Sequence, residues 1–354
     1  MRGYLFAGFL ILSIVSFEMC FGQNQAGKAA YEKAYSDIKQ ALDSNIAFSF
    51  KEICFITENT YLDDQLDFRK FNATVDNLRS MASAWMNANP LRDYPYSDSI
   101  NFHKNFAIYK VLMDTIRFIG NDSEILGHLP YKYDFKDFAG EEDWENMFVA
   151  KLLATHKGNC HSLPYLYKIL ADELNATCWL ALAPNHMYIS NRCKKIGWYN
   201  TELTSGTFPV DAWIMASGYL PVQAVQNGIY MDTLSNQQSI ALCILDLAKG
   251  YEHRTKNYAD GFILKCCNLS LKYFPQNVQA MLLKAETLKH MYERQKARKE
   301  LAAKRTFIDM ESLYLKIFDL GYREMPDQMY IQWLQSVVKE RNKYTNKQLG
   351  IFGN

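Results

Sequence analysis

The stretch from Trp144 to Trp213 constrains the fold most, because it combines a cysteine at the start of a predicted helix with a histidine on a predicted strand. A Gly-Asn pair before Cys160 supplies a turn and a cap, and the apolar residues that follow recur at helical spacing. The later run WLALAPNHMYIS, which contains His186, has the apolar density of a strand. These patterns predict an α+β core.

The lengths of these two elements bring Cys160 and His186 together. A helix from Cys160 to Leu174 advances about 22 Å, and a strand from Trp179 to His186 returns about 26 Å. We therefore expect the imidazole of His186 to lie at the end of the helix that carries the thiol.

Residues after the strand supply two candidates for a third polar group. The segment from Lys195 to Glu202 is typical of a hairpin partner, with the turn at residues 191 to 194 or 195, so Asn200 and Glu202 share one face near His186. A thiol nucleophile needs a helix N-terminus that favours negative charge, a base that takes the proton and a group that orients the base. We predict Cys160 as the nucleophile and His186 as the base. Either Glu202 or Asn200 would orient the imidazole.

Three segments resemble the bacterial transglutaminase-like domain of the papain-like thiol enzymes, over roughly residues 130 to 215. They are FVAKLLATHKGNCHSLPYLYKILADEL, ALAPNHMYI and GWYNTEL. In that family the Cys of a G-x-C turn at a helix start is the nucleophile, and the His on the following strand is the base. The resemblance implies these roles for Cys160 and His186, within a transglutaminase-like α+β fold.

The third member of the triad is usually an Asp in a G-W-x-x-x-D segment of that family. Glu202 occupies the matching position, and Asn200 two residues earlier is the papain-style alternative. Many members also have an aromatic residue after the nucleophile and a Trp two positions after the His, where this chain has His161 and Tyr188. The resemblance therefore implies the thiol machinery without implying cross-linking activity.

These residues predict a thiol hydrolase or acyl-transfer enzyme that acts on an amide bond of a peptide, protein or cell-wall substrate. The alternative is a catalytically inactive relative, a scaffold that binds a peptide or protein and tolerates loss of Cys160. His156, Cys160 and His161 have the spacing H-x3-C-H, but no second Cys/His pair at suitable spacing completes four zinc ligands. We expect neither a metal ion nor a cofactor.

The N-terminal residues 1–22 have the pattern of a secretory signal peptide, with an apolar run from Leu5 to Phe17 and small residues before a cut near Gln23. The run is short for a membrane span, and no later segment reaches ~18 uninterrupted apolar residues. We expect an exported protein, periplasmic or secreted, without a stable span. Of the 8 cysteines, Cys20 lies in this leader, and the odd number that remains suits a free Cys160 in an oxidising compartment.

The remaining chain divides into regions by pattern. Residues 23–120 are predicted as a helical region that includes a helix from Asn105 to Ile119, and residues 121–235 as the core. Residues 236–354 show successive amphipathic helices that weakly resemble tetratricopeptide repeats, with a simple helical bundle as the alternative. The predicted helices are Ala241 to Tyr251, Ala259 to Tyr273, Val278 to Tyr292 and Leu313 to Leu320, with a basic linker from Glu293 to Arg305.

We expect this last region to bind or position a protein partner, either as a separable unit or as part of the core domain's packing. The chain has 39 Lys+Arg against 38 Asp+Glu, a formal net charge of +1. No nucleic-acid module is present in the sequence, and so balanced a charge does not favour a nucleic-acid partner.

Overall fold

A computed structural model describes residues 27–43, 49–119 and 125–350. The predicted signal peptide at residues 1–22 and its cleavage point lie outside these ranges. The described chain combines many helices with three short sheets, which confirms the α+β class at this coarse level.

The N-terminal region is helical, as predicted. A helix at residues 27–43 (α1) is followed by α2 (Phe50–Tyr61), α3 (Phe68–Ala88) and α4 (Ser99–Met113). Side chains that accept from exposed amides start α2 and α3: Ser49 forms a capping box with Glu52, and Asp67 accepts from the first turn of α3.

The predicted helix from Asn105 to Ile119 was too long. Helix α4 ends at Met113, the backbone of Asp114 is extended, and β1 (Ile116–Ile119) pairs antiparallel with β2 (Ile125–His128). Burial alternates along β1, so its apolar residues follow the period of a strand there.

The central segment leads into a fully packed helix. Strand β3 (Lys132–Tyr133) lies parallel to β4 (Lys157–Gly158), and between them lie a 3-10 helix (Trp144–Met147) and α5 (Val149–Thr155). Helix α6 (Ser162–Glu173) is buried along most of its length and packs against α2, α3, α4, α5 and the main sheet. It is the element around which the other layers are arranged.

The main sheet is a three-stranded antiparallel meander of β5 (Trp179–Ala183), β6 (His186–Cys193) and β7 (Gly197–Thr201). The prediction of one continuous strand to residue 190 was wrong, because the chain turns at Pro184 and Asn185. Asn185 has a φ of 52°, a left-handed conformation that asparagine tolerates. The turn makes His186 the first residue of a new strand.

The C-terminal part is a series of helices. They are α7 (Asp211–Ser217), α8 (Val222–Gln226), α9 (Asn236–Thr255), α10 (Phe262–Tyr273), α11 (Val278–Ala297), α12 (Ala303–Asp319), α13 (Asp327–Lys339), α14 (Arg341–Tyr344) and α15 (Lys347–Gly350). The predicted break at residues 274–277 is confirmed, since Asn277 caps α11. The predicted linker from Glu293 to Arg305 is mostly helical, and α13 was not predicted at all.

One hydrophobic core runs through most of the described chain. Its buried side chains come from α1 through α6, from the main sheet and from the later helices α9, α10, α11 and α13. A second apolar cluster joins residues 220–230 to α11 and α12. The helices after residue 236 therefore share the core of the preceding region. Within the described ranges, no helix has both the length and the apolar character to cross a membrane.

Candidate active site

Cys160 lies in the turn between β4 and α6, two residues before the helix begins at Ser162. The Asn159 carboxamide holds this turn, because its Oδ1 accepts the backbone amides of His161 at 2.9 Å and Ser162 at 3.1 Å. Gly158 is required beside it, since a Cβ there would lie 2.4 Å from Ser162 Oγ. The Gly-Asn pair thus fixes the thiol close to the helix N-terminus, although the helix does not start at Cys160 as predicted.

His186 and Glu202 form a buried pair. Strand pairing aligns Ile189 with Thr201, so Glu202 falls opposite Tyr188 and diagonal to His186. His186 Nε2 lies 2.6 Å from Glu202 Oε2, and Glu202 Oε1 accepts the backbone amide of Thr204 at 2.8 Å. The carboxylate fixes the orientation of the ring and leaves Nδ1 as the nitrogen free for the thiol.

Asn200, the other candidate orienting residue, is used elsewhere. Its Nδ2 donates to the carbonyl oxygen of Pro209 at 3.1 Å and to Asp211 Oδ1 at 2.6 Å. These bonds hold the loop before α7. Asp211 is itself the first residue of α7, and its carboxylate accepts the hydrogen bond from Asn200.

Electrostatics link the thiol to the imidazole. Burial raises the pKa of Cys160, but interaction with His186 and with the Tyr330 and Tyr133 hydroxyls outweighs burial, so the pKa lies below its ordinary value. Burial lowers the pKa of His186, but Glu202 and Cys160 raise it to about 10. Both shifts favour a thiolate–imidazolium pair at neutral pH. His186 Nδ1 is buried and has no hydrogen bond of good geometry to any other described group, so it is free to act on the thiol.

Helix α13 covers the thiol and the imidazole. The Tyr330 hydroxyl lies 3.4 Å from Cys160 Sγ, and the Trp333 ring meets the His186 ring edge to face, with centroids 4.6 Å apart. Trp333 Nε1 donates to Ser217 Oγ at 2.9 Å, which ties α13 to α7. Sequence reasoning missed both residues. Their three-residue spacing on one helix face was the available signal, but it does not show where that face packs.

A second imidazole–carboxylate pair lies on the other side of Cys160. His161 Nδ1 is 2.9 Å from the carbonyl oxygen of Met147, and Nε2 is 3.1 Å from Asp246 Oδ2. The Tyr165 hydroxyl donates to the same carboxylate oxygen at 2.8 Å. Burial lowers the pKa of His161, but Asp246 raises it above its ordinary value overall. This pair was not predicted, because Asp246 is distant in sequence.

A cleft of about 880 Å³, including its open mouth, connects these groups. Cys160, His186, His161, Asp246 and Lys249 line it, and apolar side chains form most of its remaining walls: Leu182, Ala183, Met187, Ile229, Tyr230, Leu242, Leu245 and Val278. In the described part of the chain, no group of three or more His, Cys, Asp or Glu side chains could hold a metal ion.

Comparisons with known proteins do not assign this site. No protein-family model matches the chain, and no curated protein matches it. Among solved structures it is similar to menin, whose crystal structure reveals the binding site for the Mixed Lineage Leukemia protein. That match covers 89% of this chain and 75% of menin, at 10% identity and a TM-score of 0.37. Values this low assign neither a fold nor a function.

Proposed function

We propose that this protein is an exported thiol enzyme with a transglutaminase-like, papain-like core, a hydrolase or acyltransferase that acts on an amide bond. One observation carries the proposal: the buried His186 ring lies between the Cys160 thiol and the Glu202 carboxylate, with Nε2 held at 2.6 Å by Glu202. This is the order of nucleophile, base and orienting group that thiol catalysis requires.

The reaction begins with attack of the Cys160 thiolate on the amide carbonyl carbon. A carbon–sulfur bond forms as the carbonyl π electrons move to oxygen, and the backbone amide of Cys160 is one donor to that oxyanion. The His186 imidazolium then gives its proton to the leaving nitrogen as the carbon–nitrogen bond breaks. The products of this half-reaction are an amine and a thioester on Cys160.

The second half-reaction releases the acyl group. Water attacks the thioester in a hydrolase, and an amine attacks it in an acyltransferase. Neutral His186 accepts the proton of the attacking group, and Cys160 leaves as the thiolate. Glu202 keeps the ring oriented and stabilises its protonated form throughout.

The experiment that tests this function is activity profiling on a library of peptides and cell-wall fragments. Wild type, Cys160→Ala and the control Cys178→Ala are compared, because Cys178 is a buried cysteine that does not line the cleft. A product formed by wild type and Cys178→Ala, and absent with Cys160→Ala, supports the proposal. Turnover that survives in Cys160→Ala contradicts it.

A second candidate is a catalytically inactive scaffold that binds a peptide or protein. The cover over the thiol favours it, because Tyr330 contacts Cys160 Sγ and Trp333 packs on the His186 ring, so α13 occupies one side of both groups. Such a scaffold binds its partner equally well as wild type and as Cys160→Ala. Pull-down of the same partner by both, without any turnover by wild type, would support this candidate.

A further inference from the structure

Lys249 places a positive charge in the cleft that no neighbouring carboxylate neutralises. It lies on α9, is half-buried, and lines the same cleft as Cys160 and His186. Within the described residues, no Asp or Glu oxygen lies within ion-pair distance of its ammonium group. Burial lowers the pKa of Lys249, although Asp246 and Glu252 oppose that shift.

The nearest acid is already engaged by another cation. Both ring nitrogens of His161 face acceptors, the Met147 carbonyl and the Asp246 carboxylate, and Asp246 raises the pKa of the ring against the effect of burial, so the imidazolium form is favoured. Its charge compensates Asp246, whose Oδ2 also accepts from Tyr165. Lys249 therefore has Asp246 nearby but lacks a counter-ion of its own.

The other acids near Lys249 are also engaged. Glu58 lines a neighbouring pocket that Lys249 also lines. Its two carboxylate oxygens accept the backbone amides of Val149 at 2.7 Å and Ala150 at 2.9 Å. Glu252 accepts from the Tyr258 hydroxyl at 3.0 Å. The ammonium group of half-buried Lys249 thus has no carboxylate partner among the described residues, and a ligand carboxylate would supply the missing counter-ion.

We propose that Lys249 recognises a carboxylate of the substrate, so that the enzyme prefers amides that carry an acidic group beside the scissile bond. The inference rests on the proposed function and adds a substrate class to it. The apolar side chains that line the cleft lower its effective dielectric constant, which strengthens the attraction between ammonium and carboxylate. The carboxylate has two sources in a peptide, an acidic side chain or a free C-terminus.

Two small reagents test the preference without a known substrate. Iodoacetate and iodoacetamide alkylate the same thiol, but iodoacetate carries a carboxylate where iodoacetamide carries a neutral amide. The rate of each reaction is measured by quantifying the modified Cys160 peptide by mass spectrometry. We expect Lys249→Met to lower the ratio of iodoacetate to iodoacetamide rates about tenfold. Lys249→Arg should keep the ratio, and so should Lys304→Met, which removes an exposed lysine that does not line the cleft.

The result separates the two proposals. At neutral pH, where Lys249 is still charged, an ordinary accessible thiol is also alkylated, only more slowly, so the ratio of the two rates reports on Lys249 even if Cys160 proves to be an ordinary cysteine. If the alkylation rate of Cys160 follows the pH profile of an ordinary thiol, the proposed function is overturned, but the ratio of iodoacetate to iodoacetamide rates can still be interpreted. An unchanged ratio in a folded Lys249→Met variant, verified by circular dichroism, would overturn the present inference.

Protection experiments then identify the source of the carboxylate. Three acetylated peptides compete with iodoacetamide: one amidated with an internal Glu, one with alanines only and a free C-terminus, and one amidated with Gln in place of Glu. If the Glu peptide protects Cys160 from alkylation most strongly, Lys249 recognises an acidic side chain. If the alanine peptide with the free C-terminus protects it most strongly, Lys249 recognises a C-terminal carboxylate. If the Gln peptide protects Cys160 as well as the other two peptides, the inference is contradicted. If no peptide protects Cys160, the ratio of iodoacetate to iodoacetamide rates decides whether Lys249 recognises a carboxylate.

Discussion

The Tyr330 hydroxyl lies 3.4 Å from Cys160 Sγ, although 170 residues separate the two in sequence. The thiol therefore has partners from two distant parts of the chain: His186 from the sheet and Tyr330 from α13. The site is complete only when the C-terminal helices are in place.

Replacement of the two candidate orienting residues should give opposite results. Glu202→Gln keeps the size of the side chain but removes the charge that holds His186, and we expect turnover of a substrate from the library to fall about 10²- to 10⁴-fold. Asn200→Ala loses only bonds to the loop before α7, so turnover should stay within about threefold while the melting temperature falls. Loss of turnover in Asn200→Ala, with full activity in Glu202→Gln, would reverse the assignment.

The pH dependence of alkylation should show an activated thiol. Because the pKa of Cys160 is lowered, its reaction with iodoacetamide should persist well below the ordinary thiol pKa of about 8.5. His186→Ala removes the cation and leaves burial, which raises the pKa, so the profile should move to alkaline pH. A wild-type profile near the ordinary value, unchanged by His186→Ala, would contradict thiol activation.

Turnover should respond differently to high pH. The pKa of His186 is raised to about 10, so above that value the ring no longer carries the proton that the leaving nitrogen needs. We expect turnover to decline as the pH passes through that value while alkylation continues. Parallel decline of both rates would instead indicate unfolding, which circular dichroism at each pH would detect.

Tyr330→Phe should make the thiol less reactive without disturbing the packing of α13. The ring is kept, and only the hydroxyl that interacts with the Cys160 sulfur is lost. We expect alkylation at pH 7 to fall about tenfold, because a hydrogen bond to a charged group is lost. Tyr322→Phe is the matched control, since that tyrosine packs on the apolar cluster of residues 220–230, α11 and α12 rather than on Cys160. An equal effect of both variants would assign the change to stability.

The pairing of Cys160 with His186 followed from the sequence because both lie in one contiguous segment. Helix and strand lengths alone returned His186 to the start of α6, and the turn at Asn185 changed the strand count without changing that result. The register between β6 and β7 was harder to predict. The β6–β7 turn lies at residues 194–196, so residue 204, not 200 to 202, is opposite His186, and Glu202 reaches the ring diagonally.

The contacts of α13 and Asp246 were beyond sequence reasoning. An amphipathic pattern predicts that a helix buries one face, but it does not show which distant element receives that face. Tyr330, Trp333 and Asp246 reach the site only through tertiary packing. For the same reason the sequence left open whether the C-terminal helices form a separable unit or pack on the core domain; in the structure α9, α10, α11 and α13 contribute to the main core.

Truncation after Asn236 should therefore yield a misfolded fragment. It would remove buried residues of α9, α10 and α13, and it would expose the apolar face of α2 and the His186 ring on which Trp333 packs. We expect an insoluble fragment, or one that binds a hydrophobic dye and lacks near-ultraviolet circular dichroism. A soluble, folded fragment whose Cys160 still reacts at neutral pH would show that the C-terminal helices form a separate unit.

Glu58 should make stability depend on pH. Its carboxyl caps the N-terminus of α5, yet burial raises its pKa to about 7, because the two backbone hydrogen bonds only partly offset that burial. The folded state then binds this proton more tightly than the unfolded state, whose pKa is near 4.5, so stability falls as pH rises from 4.5 to about 7. The loss should reach up to ~3 kcal/mol in wild type and be absent in Glu58→Gln, whose uncharged amide does not titrate. Chemical denaturation of both at several pH values measures this difference. Identical pH slopes for the two proteins would show that the amides of Val149 and Ala150 fully offset burial, so that the pKa of Glu58 is the same in the folded and unfolded states.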